Sequence, residues 1–275
     1  PVIFYETIRA GEQAGTLEDS FTTLNVYFDK QSKVKAKLAE ALTYPIFVLV
    51  IAIVVVVVIM TFVMPTFKEL LASYGSTMPL ATQILINISD FFNAYGILML
   101  LVVVALAIAF KVWSHSEKGR IQWATFKLKA PVFGTINVLR GAGQFANTMA
   151  TLLTSGLHMT NAVEITGRVM DNARLASDVG KMTAELEEGK QLGDSMSRIE
   201  FIPRPLTEMV AVGEETGELE HTLTTMGEFY DEETDRATQR ALSKLEPAII
   251  VIMAIFAGYI VIALYLAMFA IYAGM

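Results

Sequence analysis

The chain has 275 residues, 53% of them hydrophobic and 18% charged, with a formal net charge of −7 and no cysteine. That is too apolar for a single soluble domain, so the charges must be segregated from long apolar runs. The acidic balance argues against nucleic acid as a direct partner, and the lack of cysteine excludes disulfides and thiolate metal sites.

Residues 1–44 read as helical and charged, without the short apolar core of a signal peptide. Gly11-Glu12-Gln13-Ala14-Gly15-Thr16-Leu17 divides them into two helices. Gly15 suits a left-handed turn, which glycine adopts at no steric cost. Thr16 is the candidate N-cap of the second helix, with Glu18 and Asp19 in the first turn. Leu17, Phe21, Leu24, Phe28, Val34, Leu38 and Ala41 then fall on one face and predict a packing stripe. Lys30, Lys33, Lys35 and Lys37 gather ahead of residues 45–64. There Ile46 to Met64 is uncharged and, at roughly 1.5 Å per residue, long enough to cross a bilayer's hydrocarbon core. Residues 65–90 read as an outer loop carrying Lys68, Glu69, the turn signal Tyr74-Gly75-Ser76 and Met78-Pro79, followed by the start of a helix near Thr82. Residues 91–112 form a second apolar run with Asp90 and Asn93 at its end.

Lys111, Lys118, Arg120, Lys127 and Lys129 follow that run. Residues 113–246 read as a soluble domain of about six short antiparallel helices with no convincing strand, punctuated at Pro131, Ser155-Gly156, Asp171-Asn172, Gly189, Pro203 and Thr216-Gly217. Phe145, Met149, Leu152 and Leu153 predict one core stripe, and Leu219, Leu223, Met226 and Tyr230 another. Residues 247–273 are the third membrane span. The bias of Lys and Arg towards the cytoplasmic side places the soluble parts inside and the C-terminus outside. The expected fold class is therefore an all-α membrane protein with three transmembrane helices and cytoplasmic helical-bundle domains.

The first corner returns as Gly213-Glu214-Glu215-Thr216-Gly217-Glu218-Leu219, at an offset of 213 minus 11, or 202 residues. The register holds from Pro1 against Pro203, through Leu17 against Leu219 and Asp29 against Asp231, to Pro45 against Pro247. This indicates internal duplication. The first copy lacks a counterpart of residues 140 to 202, the pattern expected of a fragment of a longer protein.

Catalysis has no visible carrier. Gly180-Lys181 and Gly189-Lys190 lack the rest of a phosphate-binding loop, no Gly-x-Ser-x-Gly elbow occurs, and His115, His158 and His221 are isolated. No enzyme activity, cofactor or metal is expected. Glu185 to Asp235 holds 15 Asp and Glu against 3 Lys and Arg, a net of −12. It reads either as a solvated helix face, as a docking surface for a basic partner, or as a divalent-ion site at Asp231, Glu232 and Asp235. Glu12 and Glu214 read either as helix-terminal charges or as contacts to a partner, with Gly15 and Gly217 as the turns beside them and Glu218 adjoining. No Asp, Glu, Lys, Arg or His lies between Ile46 and Met60 or between Ala248 and Ala263, which disfavours a transport path through one protomer. A transporter or permease subunit is the rival class, and a membrane anchor without a motor partner the third.

Phe145-Ala146-x-Thr148-Met149-Ala150-x-Leu152-Leu153-x-Ser155-Gly156, Ala162-Val163-Glu164, Gly189-x-x-Leu192, Gly213-Glu214-Glu215-Thr216-Gly217 and Glu246-Pro247 together resemble the type II secretion system F protein family. Tyr44-Pro45 and Pro79-x-x-Thr82 extend the resemblance over nearly the whole chain. It implies two homologous cytoplasmic six-helix domains and a non-enzymatic inner-membrane platform that acts as a homo-oligomer. Its implied partners are a cytoplasmic assembly ATPase, pilin or pseudopilin subunits, other inner-membrane assembly proteins and the lipid bilayer. The machine could be a type II secretion system, a type IV pilus or a competence pilus. The candidate interaction and turn residues are Glu12, Gly15, Glu214, Gly217, Glu218, Asp231 and Asp235.

Overall fold

The computed structural model describes residues 2–15, 17–73, 79–131 and 133–274, and all regular elements among them are helices. The contacts divide the chain into two units, one of Pro1–Glu40 with Trp113–Ala241 and one of Ala41–Val112 with Leu242–Met275. Two long helices, α2 (Leu17–Val58) and α11 (Leu219–Gly274), contribute to both.

The first unit contains α1 (Val2–Ala14), the start of α2, α5 (Glu117–Lys129), α6 (Phe133–Thr154), α7 (Met159–Val169), α8 (Ala173–Glu187), α9 (Leu192–Ser197), α10 (Arg204–Thr216) and the start of α11. Each helix turns an apolar stripe inward. Phe145, Met149, Leu152, Val163, Val179, Leu192, Met196, Leu206, Val210 and Leu223 are fully buried in one core. Burying each such large side chain contributes about 1.5–3 kcal/mol. Boundaries follow local chemistry: Asn172 Oδ1 accepts from the N–H groups of Arg174 at 2.9 Å and Leu175 at 3.3 Å, starting α8. Pro205 sits in the first turn of α10, where a missing N–H costs nothing.

Both stripes expected in residues 113–246 are buried, with Leu153 partly so. The stripe expected on residues 17–41 is not packed along its whole length. Leu24 and Tyr27 are buried, whereas Leu17 is 41% and Phe21 53% exposed, the latter meeting Phe4 edge to face at 6.5 Å. Periodicity defines a face but not the neighbour that covers it, and α2 meets the core through the side carrying Tyr27.

The second unit holds the apolar segments. Three helices are long and apolar enough to cross a membrane, over Ile46–Thr66, Ala94–His115 and within Leu219–Phe269. Residues 65–73, expected to be loop, lie in helix α3 (Met64–Ser73), joined to α2 by a π-helical turn at Ile59–Val63. Pro65 gives the reason: it has no N–H for the Thr61 carbonyl, and its ring crowds that carbonyl in an α-helix. The wider turn, closed by Met64 N–H on Ile59 O, takes up the misfit. The turn signal Tyr74-Gly75-Ser76, Met78 and the cap Thr16 lie outside the described residues.

Helix α4 (Leu80–His115) contributes side chains to several links between the helices of this unit. Thr82 Oγ1 donates to Ala263 O at 2.8 Å, and Ser89 Oγ donates to Met60 O, inside the π-turn, at 2.5 Å. Asp90 pairs with Lys68 at 2.6 Å, and Tyr259 OH donates to Ala81 O at 3.2 Å. Thr82 and Ser89 are buried, so these links satisfy polar atoms that have no water to turn to.

Candidate functional site

The corner at Gly213–Leu219 is built by close backbone approach. Gly217, at φ 77°, makes the left-handed turn between α10 and α11. A Cβ on Gly213 would lie 2.7 Å from Thr222 Oγ1, and one on Gly193 would lie 2.6 Å from Ala211 Cβ. With α9 and α10 held this close, Glu214 reaches the start of α9. Its Oε1 accepts from Leu192 N–H at 3.0 Å and its Oε2 from Gly193 N–H at 3.1 Å. The carboxylate thereby satisfies two donors that a helix start leaves open and meets the positive end of the helix. Glu214 is thus engaged at the start of a helix other than the one that carries it. Glu218 is exposed, and an open groove beside it is lined by Leu153, Met159, Gly217, Leu219, Glu220 and His221.

The first corner shares the turn but not the cap. Gly15 has φ 72°, with its N–H on Glu12 O at 3.4 Å. Glu12 is exposed, and its carboxylate caps no helix among the described residues.

Asp231 belongs to a second cluster. Its Oδ2 accepts from Asn147 Nδ2 at 3.0 Å and pairs with Lys30 Nζ at 3.0 Å, while Lys30 also donates to Asn147 Oδ1 at 3.0 Å. The triangle links α2, α6 and α11. Two glycines make room for it: a Cβ on Gly227 would lie 2.2 Å from Asn147 Oδ1, and one on Gly143 would lie 3.0 Å from Asp231 Oδ1. Neighbouring Tyr27 OH and Thr148 Oγ1 are 3.3 Å apart, and burial pushes the Tyr27 phenol above its ordinary pKa, with the Thr148 hydrogen bond opposing. Glu232 pairs with Arg236 at 3.1 Å, and Asp235 is half-buried. Among the described residues no three His, Asp or Glu side chains converge to hold a metal ion, so the divalent-ion reading of Asp231, Glu232 and Asp235 has no geometric support.

Sequence reasoning missed Lys30 and Asn147. A signal was present, because Gly143 precedes Asn147 and Gly227 precedes Asp231 by one helical turn each. Such paired small-then-polar steps mark two helices that approach closely and exchange hydrogen bonds.

A helical chain with three helices long and apolar enough to cross a membrane fits the multispan helical class of membrane proteins. The family model for type II secretion system protein F matches residues 1–65 and 145–267. The chain belongs to that family. It is 32% identical over 270 residues to the type IV pilus assembly protein PilC of Thermus thermophilus, covering 98% of this chain and 66% of that protein. The PilC of Pseudomonas aeruginosa is 29% identical, covering 97% of this chain and 72% of that protein. The type II secretion system protein F of Pseudomonas aeruginosa is also 29% identical, covering 97% and 65%. The chain spans about two thirds of the length of these curated relatives.

Proposed function

We propose that this chain is a non-enzymatic inner-membrane platform for the assembly of type IV pilus-like filaments, coupling a cytoplasmic assembly ATPase to pilin or pseudopilin polymerisation. Family membership supports the machine. The observation that carries the mechanism is the continuity of α2 and α11. Each begins at a Gly-Glu-x-x-Gly corner and runs on unbroken into a segment apolar enough to cross a membrane. A helix resists bending and compression, so force applied at a corner would travel along it into the bilayer. The Lys30–Asn147–Asp231 triangle ties α2 to α11 and lets the pair respond together.

In this reading the two corners are duplicates of one unit, the soluble parts are cytoplasmic and the C-terminus lies outside. Glu218 and the exposed acidic residues around it form the docking face for the ATPase, while Glu214 shapes that face by fixing α9. The platform works as a homo-oligomer around the filament axis, with other inner-membrane assembly proteins, and touches no nucleic acid directly. A transporter draws no support from the apolar spans, since Ile46 to Met60 and Ala248 to Ala263 hold no Asp, Glu, Lys, Arg or His.

The test is co-purification of the detergent-solubilised chain with the assembly ATPase of its own system, with ATP turnover followed in parallel. Binding that alters turnover, and that weakens when Glu218 is reversed to Lys, is the expected result. Solute uptake by the reconstituted chain, without ATPase binding, would move the assignment to a transporter.

A further inference from the structure

Helix α5 begins two residues after α4 ends at His115, and the junction is fixed. Ser116 Oγ accepts from Gly119 N–H at 3.1 Å and donates to Trp113 O at 2.7 Å. A Cβ on Gly119 would fall 2.0 Å from that same carbonyl. Only glycine lets α5 start this tightly against the last turn of an apolar helix. Gly119 thus sets how closely α5 begins against Trp113.

Its two faces differ sharply. Gly119, Ala124 and Leu128 are buried, while Lys118, Arg120, Gln122, Phe126, Lys127 and Lys129 are exposed. Phe126 is 58% exposed and stacks on Trp123 with ring centroids 5.4 Å apart, and Lys127 Nζ lies 5.5 Å from the Trp123 centroid. Trp113, in the last turn of α4, and Phe133, at the start of α6, are also exposed. Residues 113–129 carry four Lys and Arg against the single carboxylate of Glu117, a net of +3 in a chain of net −7. Lys129 reaches Glu200 at 3.2 Å, whereas Lys118, Arg120 and Lys127 meet no carboxylate among the described residues. Water has no use for exposed aromatic rings, and an acidic protein surface would need only the cations. A bilayer with anionic headgroups uses both, since rings settle at the acyl boundary and ammonium and guanidinium groups meet phosphates.

We propose that α5, flanked by Trp113 and Phe133, is an interfacial element that docks on anionic bilayer lipid, with Lys118, Arg120 and Lys127 on headgroup phosphates and Phe126 and Trp123 at the acyl boundary. The assignment does not depend on the platform function; it requires only that α4 spans a bilayer.

The chain's two tryptophans are Trp113 and Trp123, so fluorescence reports on this element alone. Trp113→Phe isolates Trp123. This variant is reconstituted in phosphatidylcholine vesicles with and without phosphatidylglycerol, and quenched by aqueous acrylamide or by lipid brominated high on the acyl chain. Phosphatidylglycerol is expected to lower acrylamide quenching at least about twofold and to raise bromolipid quenching. Each cation removed should cut the docked-to-undocked ratio by about fivefold, so combining Lys118→Gln, Arg120→Gln and Lys127→Gln should abolish the dependence on phosphatidylglycerol. Phe126→Gln leaves every charge in place and should keep that dependence while reducing bromolipid quenching. Trp123 quenching indifferent to lipid charge, as expected if the basic face is held by an acidic protein instead, overturns the proposal. So does a dependence on phosphatidylglycerol that survives the triple substitution.

Discussion

The two Gly-Glu-x-x-Gly corners carry nearly the same sequence and the same left-handed glycine, yet the buried stripe falls on different positions, with only some, such as Leu24 and Met226, buried in both. At the second corner Leu206, Leu219 and Leu223 are in the core, while Met209 and Phe229 are 41% and 48% exposed. Counting back 202 residues, Phe4, Leu17 and Phe21 are exposed, while Thr7 and Tyr27 are buried. Glu214 caps a helix, and among the described residues Glu12 caps none. Local sequence sets the turn in both places; the neighbour decides which side of the hairpin becomes core.

The sharpest way to break this comparison is to truncate equivalent side chains. Leu223→Ala removes a fully buried side chain and is expected to cost about 2–5 kcal/mol. Phe21→Ala, at the matching position, should stay within about 0.5 kcal/mol. Thermal unfolding of the purified chain in detergent measures both, and equal losses would mean that the first corner is buried in solution.

A smaller contrast is expected at the carboxylates. Glu214→Ala loses two charge-assisted hydrogen bonds and should cost about 2–3 kcal/mol, whereas Glu12→Ala should cost less than about 0.5 kcal/mol. Amide hydrogen exchange locates the effect: protection at Leu192 and Gly193 should fall in the first variant and not in the second.

The polar triangle is the next step down. Lys30 and Asp231 are both partly exposed, so solvent screens the pair. A double-mutant cycle of Lys30→Met with Asp231→Asn should show a coupling of about 1 kcal/mol. Zero coupling would remove the triangle as a link between α2 and α11.

The smallest effect is pH-dependent and separates Tyr27 from its counterpart Phe229, which cannot ionise. Burial holds the folded pKa of Tyr27 above 10.0, so the unfolded chain gives up this proton first. The stabilisation from the neutral phenol is intact below pH 10 and is lost as pH rises through the raised folded value. Tyr27→Phe should therefore flatten the alkaline fall in stability, measured as the melting temperature against pH. Tyr230, also raised by burial, accounts for part of the remaining slope.

Much of this was legible in the chain. The three apolar runs exceed what any buried soluble helix of that length requires, and nothing but a helix satisfies its backbone in lipid. The core stripes at Phe145–Leu152 and Leu219–Tyr230 follow from helical spacing alone. Residues 65–73 were harder, because Pro65 and the charges of Lys68 and Glu69 suggest a loop. A π-helical turn is a local accommodation with no distinct sequence signature.

What the sequence determined by itself was the helical class, the three apolar runs, the left-handed glycines at the two corners and the family. These depend on composition, periodicity and local backbone sterics. Only the tertiary structure decided that Glu214 is a cap, that Asp231 meets Lys30 and Asn147, that α5 turns aromatic rings and cations outward together, and that matching corners bury different positions. Each of these depends on which groups from distant parts of the chain arrive within a few ångströms. No local pattern encodes that meeting.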